Sequence, residues 1–190
     1  MGSEETSKPR VDRVLDAALN ILAEQGLRAV SHARIDKRAL LPLGSTSNYF
    51  RTRQALLEGL IAHLARLERE DFANVPPQEA RIDAEAAFTQ MLELQSGIFR
   101  NRTLARYALF IDLASTPDLM KPLLENRKGF ELWTTATLAA LGASDPLSCT
   151  TFLMATLDGA LLHRISVDPE MAIEPVVHRA LAACLDNDLK

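Results

Sequence analysis

The sequence predicts an all-α protein, with an N-terminal three-helix helix-turn-helix domain followed by a C-terminal helical bundle. Three observations carry that expectation. From Val30 to Leu57 the chain reads as two short helices around a tight turn, then an aromatic pair, then a basic residue leading into a longer helix. Beyond it, apolar residues recur at helical spacing and no convincing period-2 alternation marks a strand. Prolines and glycines fall between the periodic segments, where helices end.

The elements follow in order. A first helix over about Arg10 to Gln25 turns Val14, Leu15, Ala18 and Leu22 inward and stops at Gly26. Ser31 can cap the second helix, in which Ile35 and Ala39, four apart, share a face. The third runs from about Pro42 to Phe50, with Pro42 in the first turn, where its missing N–H leaves nothing unpaired. This helix carries Gly44, Ser45, Thr46, Ser47, Asn48 and Tyr49. Short polar side chains let a helix lie close to a surface, and their hydroxyls and amides suit phosphates and base edges. That surface is the mark of a DNA reader.

Thr52 caps a fourth helix that carries Leu56, Leu57, Leu60, Ile61, Leu64 and Leu67 to about Ala73, long enough to join two domains. Asn74-Val75-Pro76-Pro77 then breaks the chain. A fifth helix is expected over about Gln78 to Arg100 and a sixth over about Thr103 to Ser115. The seventh starts after Thr116-Pro117, ends before Gly142 and is expected to kink or break near Pro122. The eighth, capped by Asp145, runs from Pro146 to near Val167, and the ninth from about Pro169 to Leu185, with Pro175 able to shift its start. Helices six and eight are apolar nearly all round and so need cover on every side. Six suits the centre of a bundle. Eight is harder to cover within one subunit, so part of it reads as an interface, where Gly159 and Ala160 allow close approach.

Charge supports the N-terminal reading. Residues 1–55 hold nine Lys/Arg against six acids, a net of +3, so the whole-chain value of −4 leaves −7 for residues 56–190. The nine include Lys8, Arg10, Arg13 and Arg34, and the local excess surrounds the two-helix motif. At 190 residues the chain can bury a sizeable core, and its 47% hydrophobic and 24% charged content is ordinary for a soluble globular protein. Cys149 and Cys184 are far apart in sequence, lack metal-ligand spacing and read as small apolar residues in a reduced cytoplasm. The polar start MGSEETSKPR has no signal-peptide character, and no run of about 18 uncharged apolar residues suggests a membrane span. A cytoplasmic location without membrane contact is the expectation.

Catalysis finds little support. His163 and Asp158, five apart, point to different faces of their helix. His32, His63, His163 and His178 make no metal-ligand pattern, and neither a Gly-rich phosphate loop nor a nucleophile elbow occurs. No enzyme activity, no cofactor and no metal are expected.

Several residues in order resemble the tetracycline-repressor (TetR) family of transcription regulators over about residues 10–60. They are Ala17-Ala18, Leu22, Gly26, Ser31-His32, Pro42-Leu43-Gly44-Ser45-Thr46-Ser47, Tyr49-Phe50, Arg53 and Ala55-Leu56-Leu57. The resemblance implies a double-stranded DNA operator, a homodimer through the last two long helices, and a small-molecule effector. It divides the chain into a DNA-binding domain, 1–55, and an effector-binding and dimerisation domain, 56–190. Under it, Ser45, Ser47, Asn48 and Tyr49 lie at the major groove, with Leu43 in the same motif and Gly44 permitting close approach. Ser31, His32 and Arg53 hold phosphates, and Arg34 stands beside Ala33, where many relatives carry arginine. The effector pocket is implied among helices five to seven, with Met91, Arg106, Tyr107, Phe110 and Trp133 as candidates beside Phe88, Phe99 and Phe130. The function implied is a ligand-responsive repressor of a pseudo-palindromic operator, released by the effector. Three positions depart from the pattern: Ala39-Leu40-Leu41 replaces the usual Ala-Gly-Val turn, and Asp36 and Ala33 are unusual. An Asp36 facing the groove would repel phosphate. These departures favour the alternative, a helical ligand-binding or protein-interaction module that has lost DNA binding.

Overall fold

The computed structural model describes residues 9–72 and 75–186; Lys8, Ala73 and Asn74, invoked above, lie outside them. Among these residues a short 3-10 turn, Leu27–Ala29, lies between the first two of the α-helices, which follow in chain order: α1 Arg10–Gln25, α2 His32–Arg38, α3 Ser45–Tyr49, α4 Arg53–Phe72, α5 Arg81–Ser96, α6 Arg100–Asp112, α7 Pro117–Ala140, α8 Pro146–Ser166 and α9 Glu174–Leu185. No strand occurs among the described residues. The chain divides into two compact units, Met1–Ala73 with Asn101–Asn126, and Asn74–Arg100 with Arg127–Lys190.

In the first unit, α1 is amphipathic and buries Val14, Leu15, Ala18, Leu19, Ile21 and Leu22. Gly26 ends it at φ 79°, with its N–H on the Leu22 carbonyl at 2.9 Å. Ile35 of α2, Leu56, Leu60, Ile61 and Leu64 of α4, and Leu109 of α6 join the same core. Each such side chain contributes about 1.5–3 kcal/mol by leaving water. Thr52 caps α4 through a 3.1 Å bond from the Ala55 N–H, as its position implies. The α1–α4 joint also carries a polar clasp. His63, 4% exposed, donates from Nε2 to Asp16 at 2.8 Å and accepts at Nδ1 from Arg66 at 3.0 Å.

In the second unit, α5, α8 and α9 pack on one another. Asp145 caps α8, accepting from the Ser148 N–H at 3.1 Å and the Ser148 hydroxyl at 2.7 Å. The outer side of α8 carries Leu147, Thr151, Phe152, Ala155, Gly159, Leu162 and Ser166, all exposed within this chain. Gly159 faces outward with open space at its Cβ position, whereas Ala160, expected beside it at an interface, is buried in the unit.

Several helix boundaries differ from expectation. Ser31 occupies the N-cap position of α2 in extended conformation but makes no side-chain capping bond. Pro42 belongs to the turn and not to a helix, because α3 begins only at Ser45. Helix α5 stops at Ser96 instead of Arg100. A Cβ at Gly97 would lie 2.8 Å from the Glu93 carbonyl oxygen, so this turn accepts only glycine without a shift, and α6 starts early, at Arg100. Pro122 does not end α7, which runs unbroken through it. The proline sits in the second turn, where the loss is one backbone bond near the helix start. Helix α9 starts at Glu174 with Pro175 in its first turn, while Asp168 folds the preceding segment by accepting from the Glu170 N–H at 3.1 Å. Helix α6 is not covered all round: Ile111 is 74% exposed.

Candidate nucleic-acid interface

Helix α3 has five residues, too few to hold itself in water. Its position comes from Asp36 on α2. The Asp36 carboxylate, 1% exposed, accepts from the Gly44 N–H at 2.7 Å, the Thr46 N–H at 2.7 Å and the Thr46 hydroxyl at 2.6 Å. Two of these donors are orphan amides at the start of α3, where a negative charge also meets the positive end of the helix. Burial pushes the Asp36 carboxyl up, but the Thr46 side-chain and backbone bonds, the Gly44 bond and nearby His32 outweigh it and hold the group below its ordinary value. Asp36 therefore does not face a groove. The expectation that it would repel phosphate is corrected: the residue is an internal cap.

Gly44, at φ 89°, makes the left-handed corner before α3. Leu40 adopts φ 54°, a left-handed conformation that costs a non-glycine residue roughly 1–2 kcal/mol. Its turn is held by the Leu41 N–H on the Asp36 carbonyl at 2.9 Å and by Arg13 on the Ala39 carbonyl at 2.9 Å. The Ser45 hydroxyl donates to the Pro42 carbonyl at 2.6 Å.

The outer surface exposes several residues of the expected set. Ser47, Asn48 and Tyr49 are exposed on α3, Ser45 is half-buried, and Thr46 faces inward. Leu43 stands 84% exposed at the turn and Leu40 87%. Beside them lies a groove of about 340 Å³ lined by Arg10, Arg13, Leu40, Leu41, Pro42, Ser45, Asn48 and Tyr49. Arg10 and Arg13 were not singled out from sequence, although their place in the basic N-terminal cluster was the available signal.

Two of the expected phosphate contacts, His32 and Arg53, and Arg34 of the expected DNA-binding set have structural partners of their own. His32 donates from Nε2 to the Phe50 carbonyl at 2.7 Å, which ties the start of α2 to the end of α3. Arg53 donates to the carbonyls of Val30 at 2.8 Å and Leu27 at 3.0 Å, framing the start of α2 from α4. Arg34 bonds Gln25 at 3.2 Å on the exposed surface. Ser31 is half-buried at the head of α2.

The residues expected around an effector do not gather in one unit. Arg106, Tyr107 and Phe110 belong to the first, and Met91 and Trp133 to the second. Arg106 pairs with Glu68 at 2.8 Å and lies 5.3 Å from the Tyr107 ring centre. In the second unit, Phe130 and Trp133 stack with centroids 5.5 Å apart, and Phe88 meets both edge-on at 6.3 and 5.2 Å. Among the described residues, the indole N–H of Trp133 and the hydroxyl of Thr89 are buried polar atoms without a hydrogen-bond partner. No cluster of three or more potential metal ligands occurs among the described residues, and no helix there is long and apolar enough to cross a membrane.

The profile of a family described as "Tetracyclin repressor-like, C-terminal domain" matches residues 79–186. The chain belongs to the tetracycline-repressor family. Solved structures extend the likeness in fold to the N-terminal helices. A transcriptional regulator from Rhodococcus sp. Rha1 superposes with TM-score 0.78 at 22% identity, over 92% of this chain and 95% of that one. A TetR family member from Streptomyces coelicolor A3 gives 0.68 at 22% identity, over 94% and 99%. The multidrug binding protein EbrR complexed with malachite green gives 0.68 at 23%, also over 94% and 99%. These likenesses show the fold. No curated protein matches this chain. As a TetR-family transcription regulator the chain carries its helix-turn-helix on α2 and α3, with Asp36 and Arg53 as the struts that set it.

Proposed function

We propose that this protein is a ligand-responsive repressor that binds a pseudo-palindromic operator as a homodimer and is released by a small molecule. The observation that carries the DNA-binding part is the buried Asp36 cap. It presents Ser47, Asn48 and Tyr49 outward and keeps its own charge away from the phosphates. The alternative reading, a module that has lost DNA binding, thereby loses its main support. Ser45, Ser47, Asn48 and Tyr49 read the major groove, with Leu43 placed for apolar contact and Gly44 for close approach. Arg10, Arg13, Ser31, His32, Arg34 and Arg53 form the basic and N-terminal surroundings that meet phosphate. Residues 1–55 do this work, and residues 56–190 bind the effector and pair in a cytoplasmic regulator.

The test is fluorescence anisotropy at about 150 mM salt, with a duplex from upstream of the protein's own gene and a scrambled control. Non-specific binding there is about 10⁻⁴–10⁻⁶ M. Binding at least about a thousandfold tighter to the upstream duplex is expected. Ser47→Ala should change base preference, while Arg53→Ala should weaken both duplexes alike. Equal affinity of the wild type for upstream and scrambled duplexes, repeated across a library of random duplexes, removes the DNA-reading role.

For the effector we infer an aromatic small molecule seated at Phe88, Phe130 and Trp133 in the second unit, near Met91 on α5. An acceptor on such a molecule would satisfy the orphan Trp133 N–H, whose burial without a partner costs about 1–3 kcal/mol. EbrR, of the same fold, is a multidrug binding protein solved with malachite green, and the net −7 of residues 56–190 suits a cation of that kind. The single tryptophan makes the test direct. Malachite green carries no hydrogen-bond acceptor and so probes the aromatic stack alone: titration is expected to quench Trp133 emission saturably and to release the duplex. Phe130→Ala should weaken that binding about tenfold, the loss of one aromatic stack. Quenching that rises linearly, without saturation, removes the site.

A further inference from the structure

Cys149, near the start of α8, and Cys184, near the end of α9, are 35 residues apart in the chain but face each other in the second unit. Each thiol reaches the other residue's backbone: Cys149 Sγ lies 3.6 Å from the Cys184 carbonyl oxygen, and Cys184 Sγ lies 3.7 Å from that of Cys149. These reciprocal contacts set the two cysteines side by side, each thiol against the other's backbone. The chain has no other cysteine, so the pair has no competitor. Cys149 is half-buried and Cys184 buried, which gives one accessible thiol and one held behind it.

We propose that Cys149 and Cys184 are an oxidisable dithiol that closes to an intrachain disulfide with a two-electron oxidant of the peroxide class, stapling α8 to α9. The accessible Cys149, as thiolate, attacks one oxygen of hydrogen peroxide. A sulfur–oxygen bond forms, the O–O bond breaks, and the departing hydroxide takes a proton to leave as water. Cys184 sulfur then attacks the Cys149 sulfenic sulfur. The S–S bond forms, the S–O bond breaks, and the hydroxyl leaves as a second water with the Cys184 proton. Two thiols have lost two electrons and two protons, and the peroxide has become two waters. Burial, together with the neighbouring Cys149, pushes the Cys184 thiol up to about 12, which suits it to wait protonated until a sulfenic acid forms beside it.

This dithiol stands independently of the DNA and effector readings. The test uses the whole protein, reduced, treated with stoichiometric hydrogen peroxide, then alkylated with N-ethylmaleimide and weighed intact. The expected product is a monomeric chain about 2 Da lighter, with no maleimide attached and full recovery of two maleimides after reduction. Cys184→Ser should leave Cys149 as a sulfenic acid that dimedone traps. A second measurement equilibrates native and urea-unfolded protein in glutathione buffers. The native disulfide should persist to at least about tenfold higher reduced glutathione, because the fold holds the sulfurs together. Two freely alkylated thiols after peroxide, a disulfide-linked dimer, or equal glutathione midpoints for native and unfolded chain would each overturn the proposal.

Discussion

Replacing Asp36 with alanine is expected to cost about 3–5 kcal/mol in the helix-turn-helix and to weaken operator binding by about a hundredfold or more. The reason is local. Alanine leaves the Gly44 amide, the Thr46 amide and the Thr46 hydroxyl without their acceptor in a buried place, and each unsatisfied donor costs about 1–3 kcal/mol. Helix α3, with five residues, has no reserve of its own. Its Ser47, Asn48 and Tyr49 would therefore lose their fixed orientation while α1 and α4 remain packed through Leu15, Leu22, Leu60 and Leu64. Circular dichroism should change little, urea denaturation should shift, and anisotropy should show the loss on operator DNA. Asp36→Asn keeps one acceptor oxygen but turns an NH₂ toward a donor, so its cost should fall between wild type and alanine. Acid adds a second signature. The folded Asp36 carboxyl titrates below its ordinary value, so its stabilisation is complete above the usual aspartate range and is lost as pH falls through the folded value. Below about pH 4 the wild type should lose stability more steeply than Asp36→Asn. An Asp36→Ala protein with unchanged stability and operator affinity would show that the cap is dispensable.

The second large effect is expected on the outer side of α8. Phe152, 48% exposed, and Leu162, 46% exposed, lie on one side of that helix with Ala155 and Gly159 between them and Thr151 beside Phe152. Spacings of three and four place these residues on one stripe, and the small residues let another helix approach closely. Under the proposed homodimer this stripe is covered by its own copy, so every substitution there acts twice. Phe152→Glu removes two buried rings and inserts two carboxylates, about 4 kcal/mol or more, and should raise the dimer dissociation constant at least about a thousandfold. Sedimentation at about 10 μM should read a dimer for the wild type and a monomer for Phe152→Glu, with Trp133 emission unchanged because the monomer keeps its fold. Operator affinity should fall with pairing, since one subunit reaches only one half-site. A wild type that sediments as a monomer at that concentration would remove the interface, and with it the paired reading of the operator.

How much of this was legible in the chain depends on how far apart the interacting groups lie. Gly26 ending α1, Thr52 capping α4 and Asp145 capping α8 could all be read from sequence, because each acts on backbone within four residues of itself. The inward side of α1 could be read as well, because helical spacing alone places Val14, Leu15, Ala18 and Leu22 together. Family membership was legible from the ordered residues between Ala17 and Leu57. The end of α5 was less so, since its cause is a steric limit between Gly97 and the Glu93 carbonyl that periodicity does not register.

Asp36 shows the other side. As a letter in the chain it was a departure that could repel DNA. Its burial and its three donors, eight and ten residues away, make it the support of α3. Arg53 and His32 were legible as polar members of the helix-turn-helix motif, but their bonds to the Leu27, Val30 and Phe50 carbonyls depend on how α2, α3 and α4 converge. Cys149 and Cys184 looked unrelated until α8 and α9 brought them into contact. The sequence by itself determined the order of the helices, the stop at Gly26 and the caps at Thr52 and Asp145, because these depend on short-range spacing. Only the tertiary structure decided which charge is buried, which donor is spent and which thiols meet, because those depend on neighbours that chain order does not specify.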